Sequence, residues 1–186
     1  KLVDKGVQWN TISAEKIIFC DGVNTMMNPY FKTLPFAPNK GEALIVEIKD
    51  LPNQAIYKHN LSIVPWKDQL FWVGSNYEWE YTDAEPSSAF RTKMEDSLTQ
   101  LLKIPFTVVD HIAGIRPANQ ERRPFVGLHP VYPAMGICNG MGTKGCSLAP
   151  YFAHQFIEHC ENGTPIHAEA SLDRFEEILK KTPSTI

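Results

Sequence analysis

The chain carries no excess of one charge: 18 basic residues stand against 21 acidic ones, for a net charge of −3. Proteins that follow a phosphate backbone concentrate Lys and Arg on one face, so nucleic acid is not an expected partner. Long hydrophobic runs are also lacking. The apolar stretch 146–157 is too short and too polar to cross a bilayer, and no charged-then-apolar leader opens the chain. No membrane span is expected, and a cytoplasmic location is. Cysteine is scarce. Cys20, Cys138, Cys146 and Cys160 show no CxxC spacing and are too few for a disulfide scaffold, which predicts free thiols in a reducing compartment. The six histidines form no H-x-x-x-H or H-E-x-x-H set, so no zinc site is expected. A G-x-S-x-G elbow is missing too, which disfavours an α/β-hydrolase. The first residue is Lys1 rather than Met, and 1–10 reads as the middle of something. A piece of a longer protein is the expectation.

What is present suffices for a core. Of 186 residues, 43% are hydrophobic and 11% aromatic, enough for one ordinary domain or two small ones. Residues 15–21 form a continuous apolar run closed by Gly22, the pattern of a strand buried on both faces. Pro29, Pro35 and Pro38 then mark a crossing between structural units. The β-branched and aromatic runs 43–48, 61–66 and 69–75 predict an antiparallel meander, with a hairpin break at Lys67-Asp68. Helical spacing of Phe90, Met94, Leu98, Leu101 and Leu102 predicts a helix over 82–104, with Asp83 as cap and Pro86 in its first turn. A strand over 106–116 and a short one over 135–139 follow. Ser147 is the expected cap of a second helix, which tolerates Pro150 in its first turn and offers Leu148, Tyr151, Phe152, Phe156, Ile157 and Cys160 for burial. Asn162-Gly163 and Pro165 stop it. A last helical stretch covers 172–181. The class is α+β, a mainly antiparallel mixed sheet with flanking helices.

Three motifs bear on chemistry. Gly140-Met141-Gly142-Thr143-Lys144-Gly145 fits G-x-G-x-x-G between a strand and a helix. A dinucleotide fold needs a further strand ending in an acid roughly twenty residues on, and 164–186 supplies none. The local physics survives: glycines permit close backbone approach, and a helix N-terminus offers unpaired N–H groups with about half a positive charge. The turn either binds an electron-rich group or is merely structural. The second motif is Gly114-Ile115-Arg116-Pro117. An arginine at a strand end, held by a proline, suits bidentate recognition of a carboxylate, unless it pairs with a structural acid such as Glu121 or Asp110. The third is the aromatic content of 63–75, with Tyr57 and Tyr77 nearby; sheet core is favoured over a pocket lining for most of it.

Read in order, these pieces resemble the C-terminal half of the D-amino acid oxidase-like family of FAD-dependent oxidoreductases, which includes glycine oxidase and sarcosine oxidase relatives. The resemblance rests on residues 16–22, on Lys40-Gly41-Glu42-Ala43-Leu44, and on Val64-Pro65 with Trp72-Val73-Gly74-Ser75. It continues through Gly114-Ile115-Arg116-Pro117, Arg123-Pro124-Phe125-Val126-Gly127, and Gly140-Met141-Gly142 with Leu148-Ala149-Pro150.

The resemblance implies a partial FAD-binding lobe over 1–38 and 114–186, without its nucleotide-binding half, and a substrate-binding domain over 39–113. It implies that Gly140, Met141, Gly142, Thr143, Lys144, Gly145 and Cys146 contact the flavin ring. Arg116 matches an arginine that holds the substrate carboxylate, and Lys144 a lysine near the same acid group; a plain surface lysine is the alternative for the latter. Glycine at 114, where some sarcosine oxidase-like members carry the cysteine bonded to flavin, implies non-covalent FAD. The expected activity of the full-length protein is oxidation of an amino acid or amine C–N bond by hydride transfer to flavin, the fragment alone being inactive and without bound flavin. The expected partners are a small-molecule substrate and the missing N-terminal half. Alternatives are a non-catalytic binding module and the oxidoreductase module of a tRNA-modification enzyme. Asp21 departs from the family pattern, and Cys138 and Cys146 are expected to be inert.

Overall fold

The computed structural model describes residues 2–3 and 6–181; Lys1, the non-Met start noted above, lies outside them. In chain order the elements are β1 (Leu2–Val3), β2 (Gly6–Trp9), β3 (Ile12–Ala14), β4 (Ile17–Phe19), β5 (Asn39–Glu47), β6 (Tyr57–Lys58), β7 (Ser62–Lys67) and β8 (Leu70–Gly74). Then come α1 (Ser88–Leu101), β9 (Thr107–Arg116), β10 (Phe125–Leu128), β11 (Met135–Asn139), α2 (Gly145–Asn162) and α3 (Glu176–Lys180). They group into two compact units, one formed by the chain up to Pro38 and from Arg116 onward, the other by Asn39–Ile115.

The 39–115 unit is a five-stranded sheet in the order β6-β7-β8-β5-β9. Antiparallel register sets Leu44 opposite Val73, Val46 opposite Phe71 and Ile63 opposite Val73, which brings these side chains to one face. Onto that face α1 lays Phe90, Met94 and Leu98, spaced four apart on one side of the helix. Trp72 alternates to the other face. Trp66 and Tyr77 are exposed, and Trp72 and Tyr57 only half-buried, so the core is aliphatic around Phe71 and Phe90 rather than built from the aromatics expected there.

Three local expectations shift in this unit. The β7–β8 turn falls on Asp68-Gln69, because Lys67 still pairs with Leu70, and Asp68 takes the positive φ of 54° that a glycine would have filled. The helix is capped by Ser87, whose Oγ accepts from the Phe90 N–H; Asp83 instead accepts from the Glu85 N–H and the Thr82 hydroxyl, outside the helix. The helix also stops at Leu101, which is exposed, with Leu102 extended behind it.

In the other unit β1, β2 and β3 form a small antiparallel sheet, and a second sheet runs β10-β11-β4, with β11 antiparallel to β10 and parallel to β4. Alternation covers this second sheet on both faces. Phe125, Met135 and Ile137 pack with Phe31, Leu34, Leu172, Phe175 and Leu179, while Val126 packs with Phe152 and Phe156 of α2. Ile17 and Phe19 face the first core and Ile18 the second. The residues of β4 are nonetheless only half-buried, because the strand lies at the sheet edge with β11 as its single neighbour among the described residues.

Candidate functional site

The candidate site lies at the C-terminal end of β11, where the chain turns through Gly140–Lys144 into α2. Gly140 has φ +78°, and a Cβ there would meet Phe125 Cδ2 at 2.8 Å and Asn119 Nδ2 at 3.0 Å. Both the conformation and the packing therefore require glycine. The turn continues as a short 3-10 segment, Gly142–Lys144, and α2 begins at Gly145 rather than behind a Ser147 cap. Ser147 lies inside the first turn, where its Oγ donates to the Lys144 carbonyl, so it is not the cap ahead of the helix, and Pro150 sits inside the helix. No side chain caps the first turn, so its N–H groups keep their dipolar field for whatever approaches. Phe152 and Phe156 are buried and Leu148 and Cys160 half-buried, while Tyr151 and Ile157 point outward. Gly163, at φ +68°, closes the helix as expected.

The end of β9 meets this turn. The Gly142 N–H donates to the Pro117 carbonyl at 3.3 Å, and Asn119 Nδ2 donates to the Gly140 carbonyl at 2.7 Å. The Arg116-Pro117 corner and the glycine turn are thus stitched together within one unit. Arg116 itself is half-buried. Nearby in sequence, Glu121 pairs with Arg174, which also donates to the Pro124 carbonyl at 2.7 Å, and Asp110 accepts from the His111 N–H. Lys144 is exposed, and its side chain makes no ion pair or hydrogen bond among the described residues; Thr143 and Cys146 are exposed as well.

One glycine beside this corner is required by neither φ nor packing. Gly145 has helical φ −53°, ψ −44°, and a Cβ built on it would meet nothing within 4 Å. Open space lies over it. That space and the uncapped helix start are chemically suited to the polar edge of a flat anionic group.

Sequence reasoning missed the side chains that hold the turn in place. Asn119 and Asn139 are both buried, and Asn139 Nδ2 donates to the Gly22 carbonyl and Thr25 Oγ1, each at 2.8 Å. Thr25 in turn donates to Asp21, which gives Asp21 a structural role. Asn139-Gly140 is a turn dipeptide and carried a signal; nothing in the sequence singles out Asn119. Cys138 lies half-buried beside the turn with its thiol pushed up to about 11 by burial, and next by the neighbouring Cys20, so it is a poor nucleophile. Among the described residues no group of three His, Cys, Asp or Glu side chains could hold a metal ion, and no helix is long and apolar enough to cross a membrane.

Glu42, Lys40 and His129 are buried as well. Glu42 on β5 accepts from the Ser87 N–H and Oγ and lies 3.0 Å from His111 Nε2 and 3.9 Å from Lys40 Nζ. Burial opposes its charge, but the Ser87 donors, then Lys40 and His111, outweigh it and hold the carboxyl below its ordinary value. His129 accepts at Nδ1 from the N–H groups of Val131 and Tyr132, and burial lowers its pKa against an opposing Tyr30 backbone hydrogen bond.

The fold is shared with oxidases of solved structure. Iminodiacetate oxidase from Chelativorans superposes with a TM-score of 0.71 at 22% identity, covering 88% of this chain and 46% of that one. Glycine oxidase from Geobacillus kaustophilus gives 0.67 at 20% identity, over 85% of this chain and 45% of that one. A profile of the family described as DAO, FAD dependent oxidoreductase, matches residues 2–159, and the chain belongs to that family. Its relatives include the glycine oxidases of Pseudomonas putida, 26% identical over 161 residues, and Bacillus subtilis, 29% identical over 144. These matches cover 83% and 74% of this chain but only 44% and 38% of the relatives, so the chain spans less than half their length.

Proposed function

We propose that this chain is the substrate-holding and flavin-facing part of an enzyme that oxidises the C–N bond of an amino acid or related amine. Family membership supports the chemistry: when bound, FAD would accept a hydride from the carbon bearing the nitrogen. In this reading Gly140, Met141, Gly142, Thr143, Lys144, Gly145 and Cys146 hold the cofactor non-covalently, with the uncapped first turn of α2 stabilising negative charge at its polar edge. Arg116 takes the substrate carboxylate as a bidentate pair, and Lys144 adds a second cation to that acid group. The 39–115 unit serves as the substrate-binding domain.

The observation that carries the reading is the pair of hydrogen bonds tying the Arg116-Pro117 corner to the glycine turn, Gly142 N–H to Pro117 and Asn119 to Gly140. A carboxylate held at that corner lies beside the start of α2, so the carbon next to it is oriented toward a ring resting there. Water-excluded orientation of this kind can supply several kcal/mol of the barrier. In the full-length enzyme, Arg116→Ala should cost about 2–4 kcal/mol of substrate affinity, a rise in KM of roughly thirty-fold or more. An unchanged KM would sink the assignment of Arg116.

A further inference from the structure

We infer that Asn119 and Asn139 are positioning residues that hold the two peptide groups flanking the Gly140 Cα and so fix the glycine turn against the Arg116 corner. The inference rests on the reading above and deepens it. The Gly140 N–H donates to Asn139 Oδ1 at 2.8 Å, and the Gly140 carbonyl accepts from Asn119 Nδ2 at 2.7 Å. Both amides are nearly sealed from solvent, at 3% and 6% exposure.

Neither amide can turn over. Asn119 Nδ2 also donates to the Arg123 carbonyl at 2.6 Å, and its Oδ1 accepts from the Arg123 N–H at 3.1 Å. Asn139 Nδ2 is spent on the Gly22 carbonyl and Thr25 Oγ1. Flipping either side chain would set oxygen against oxygen and leave a buried N–H unmatched. A continuous path of contacts thus runs from Asp21 through Thr25, Asn139, the backbone of Gly140 and Asn119 to Arg123.

The consequence is mechanical. Gly140 is the pivot about which the turn would swing, and its φ of +78° is available only to a residue that resists little by itself. With the peptide group on each side of its Cα held by a buried amide, that freedom is removed. Asn119 lies three residues beyond Arg116, so the clamp that holds the turn also anchors the corner. Cation and helix start become one body, whose spacing persists whether or not a ligand is present.

The test has two arms. In the 186-residue chain, hydrogen–deuterium exchange should find the Gly140 amide protected although it lies in a turn, and Asn119→Ala should speed exchange across 140–146 about tenfold or more while β5 and α1 keep their rates. Asn139→Asp, which keeps the acceptor for the Gly140 N–H but sets a buried carboxylate oxygen against the Gly22 carbonyl, should speed exchange at least as much. An unprotected Gly140 amide in the unaltered chain overturns the clamp with no variant needed. So does turn exchange that Asn119→Ala leaves unchanged.

In the full-length enzyme, Asn119→Ala should lower kcat about tenfold or more with KM within about threefold, because the groups remain but their mutual geometry loosens. Loosened exchange with unaltered kcat overturns the positioning role. Loosened exchange together with an Arg116→Ala variant of normal KM leaves the clamp standing and discards only the substrate assignment.

Discussion

Glu42 accepts both the backbone N–H and the hydroxyl of Ser87, at 2.6 and 2.8 Å, so a buried charge on β5 grips the residue that caps α1. Removing it leaves the Ser87 N–H and hydroxyl and the His111 Nε2 without their acceptor, and leaves the buried Lys40 with Asp83, at 3.8 Å, as its remaining carboxylate neighbour. Glu42→Ala should therefore cost about 3–5 kcal/mol, read as a lowered denaturation midpoint of the chain. A loss below 1 kcal/mol would show that the carboxylate does not hold the helix.

Ser87→Ala removes the acceptor for the Phe90 N–H and one donor to Glu42. A cap loss of about 1 kcal/mol is expected, increased by the unmatched carboxylate, with less helical signal in circular dichroism. Asp83→Ala should leave helix content unchanged, since Asp83 bonds outside the helix.

Stability should fall on the acid side through His129. Its folded pKa is lowered, first by burial, so the unfolded chain takes up the proton first as pH drops below about 6.5. The stabilisation is complete above that value and is lost as pH falls toward the folded pKa. His129→Gln should flatten the slope of stability between pH 7 and 5.5; an unaltered slope would remove His129 from the account.

Gly145→Ala separates folding from ligand binding. The backbone there is already helical and the new methyl meets nothing, so the melting temperature of the chain should hold or rise, by up to about 1 kcal/mol of added stability. In the full-length protein the same methyl enters the space proposed for the ring, and flavin content measured by absorbance should fall. Equal flavin content in both proteins would place the ring elsewhere.

Periodicity revealed α1 and the strand β11, because burial of Phe90, Met94 and Leu98, or of Met135 and Ile137, leaves its rhythm in the sequence. Boundaries were less legible. Asp83 and Ser87 are both good caps, and the choice fell to Glu42, 45 residues upstream of Ser87 and visible only once the chain has folded. Aromatic side chains misled for a related reason: Trp66 and Trp72 suit a strand, but composition does not say which face of it they occupy. At the candidate site the glycines announced the turn, whereas Asn119 reaches it only through Gly140, 21 positions away.

The Ala37 N–H bonds to the Ala118 carbonyl at 2.8 Å, and Phe36 bridges Asn119, so the ends of the intervening segment are clipped together. Closing such a neck costs little whatever length of polypeptide loops out beyond it. Everything from 39 to 115 can then be read as a cassette. If the function proposed above holds, grafting a cassette from a relative between those two anchor points would alter substrate preference while keeping the proposed flavin-facing turn in place.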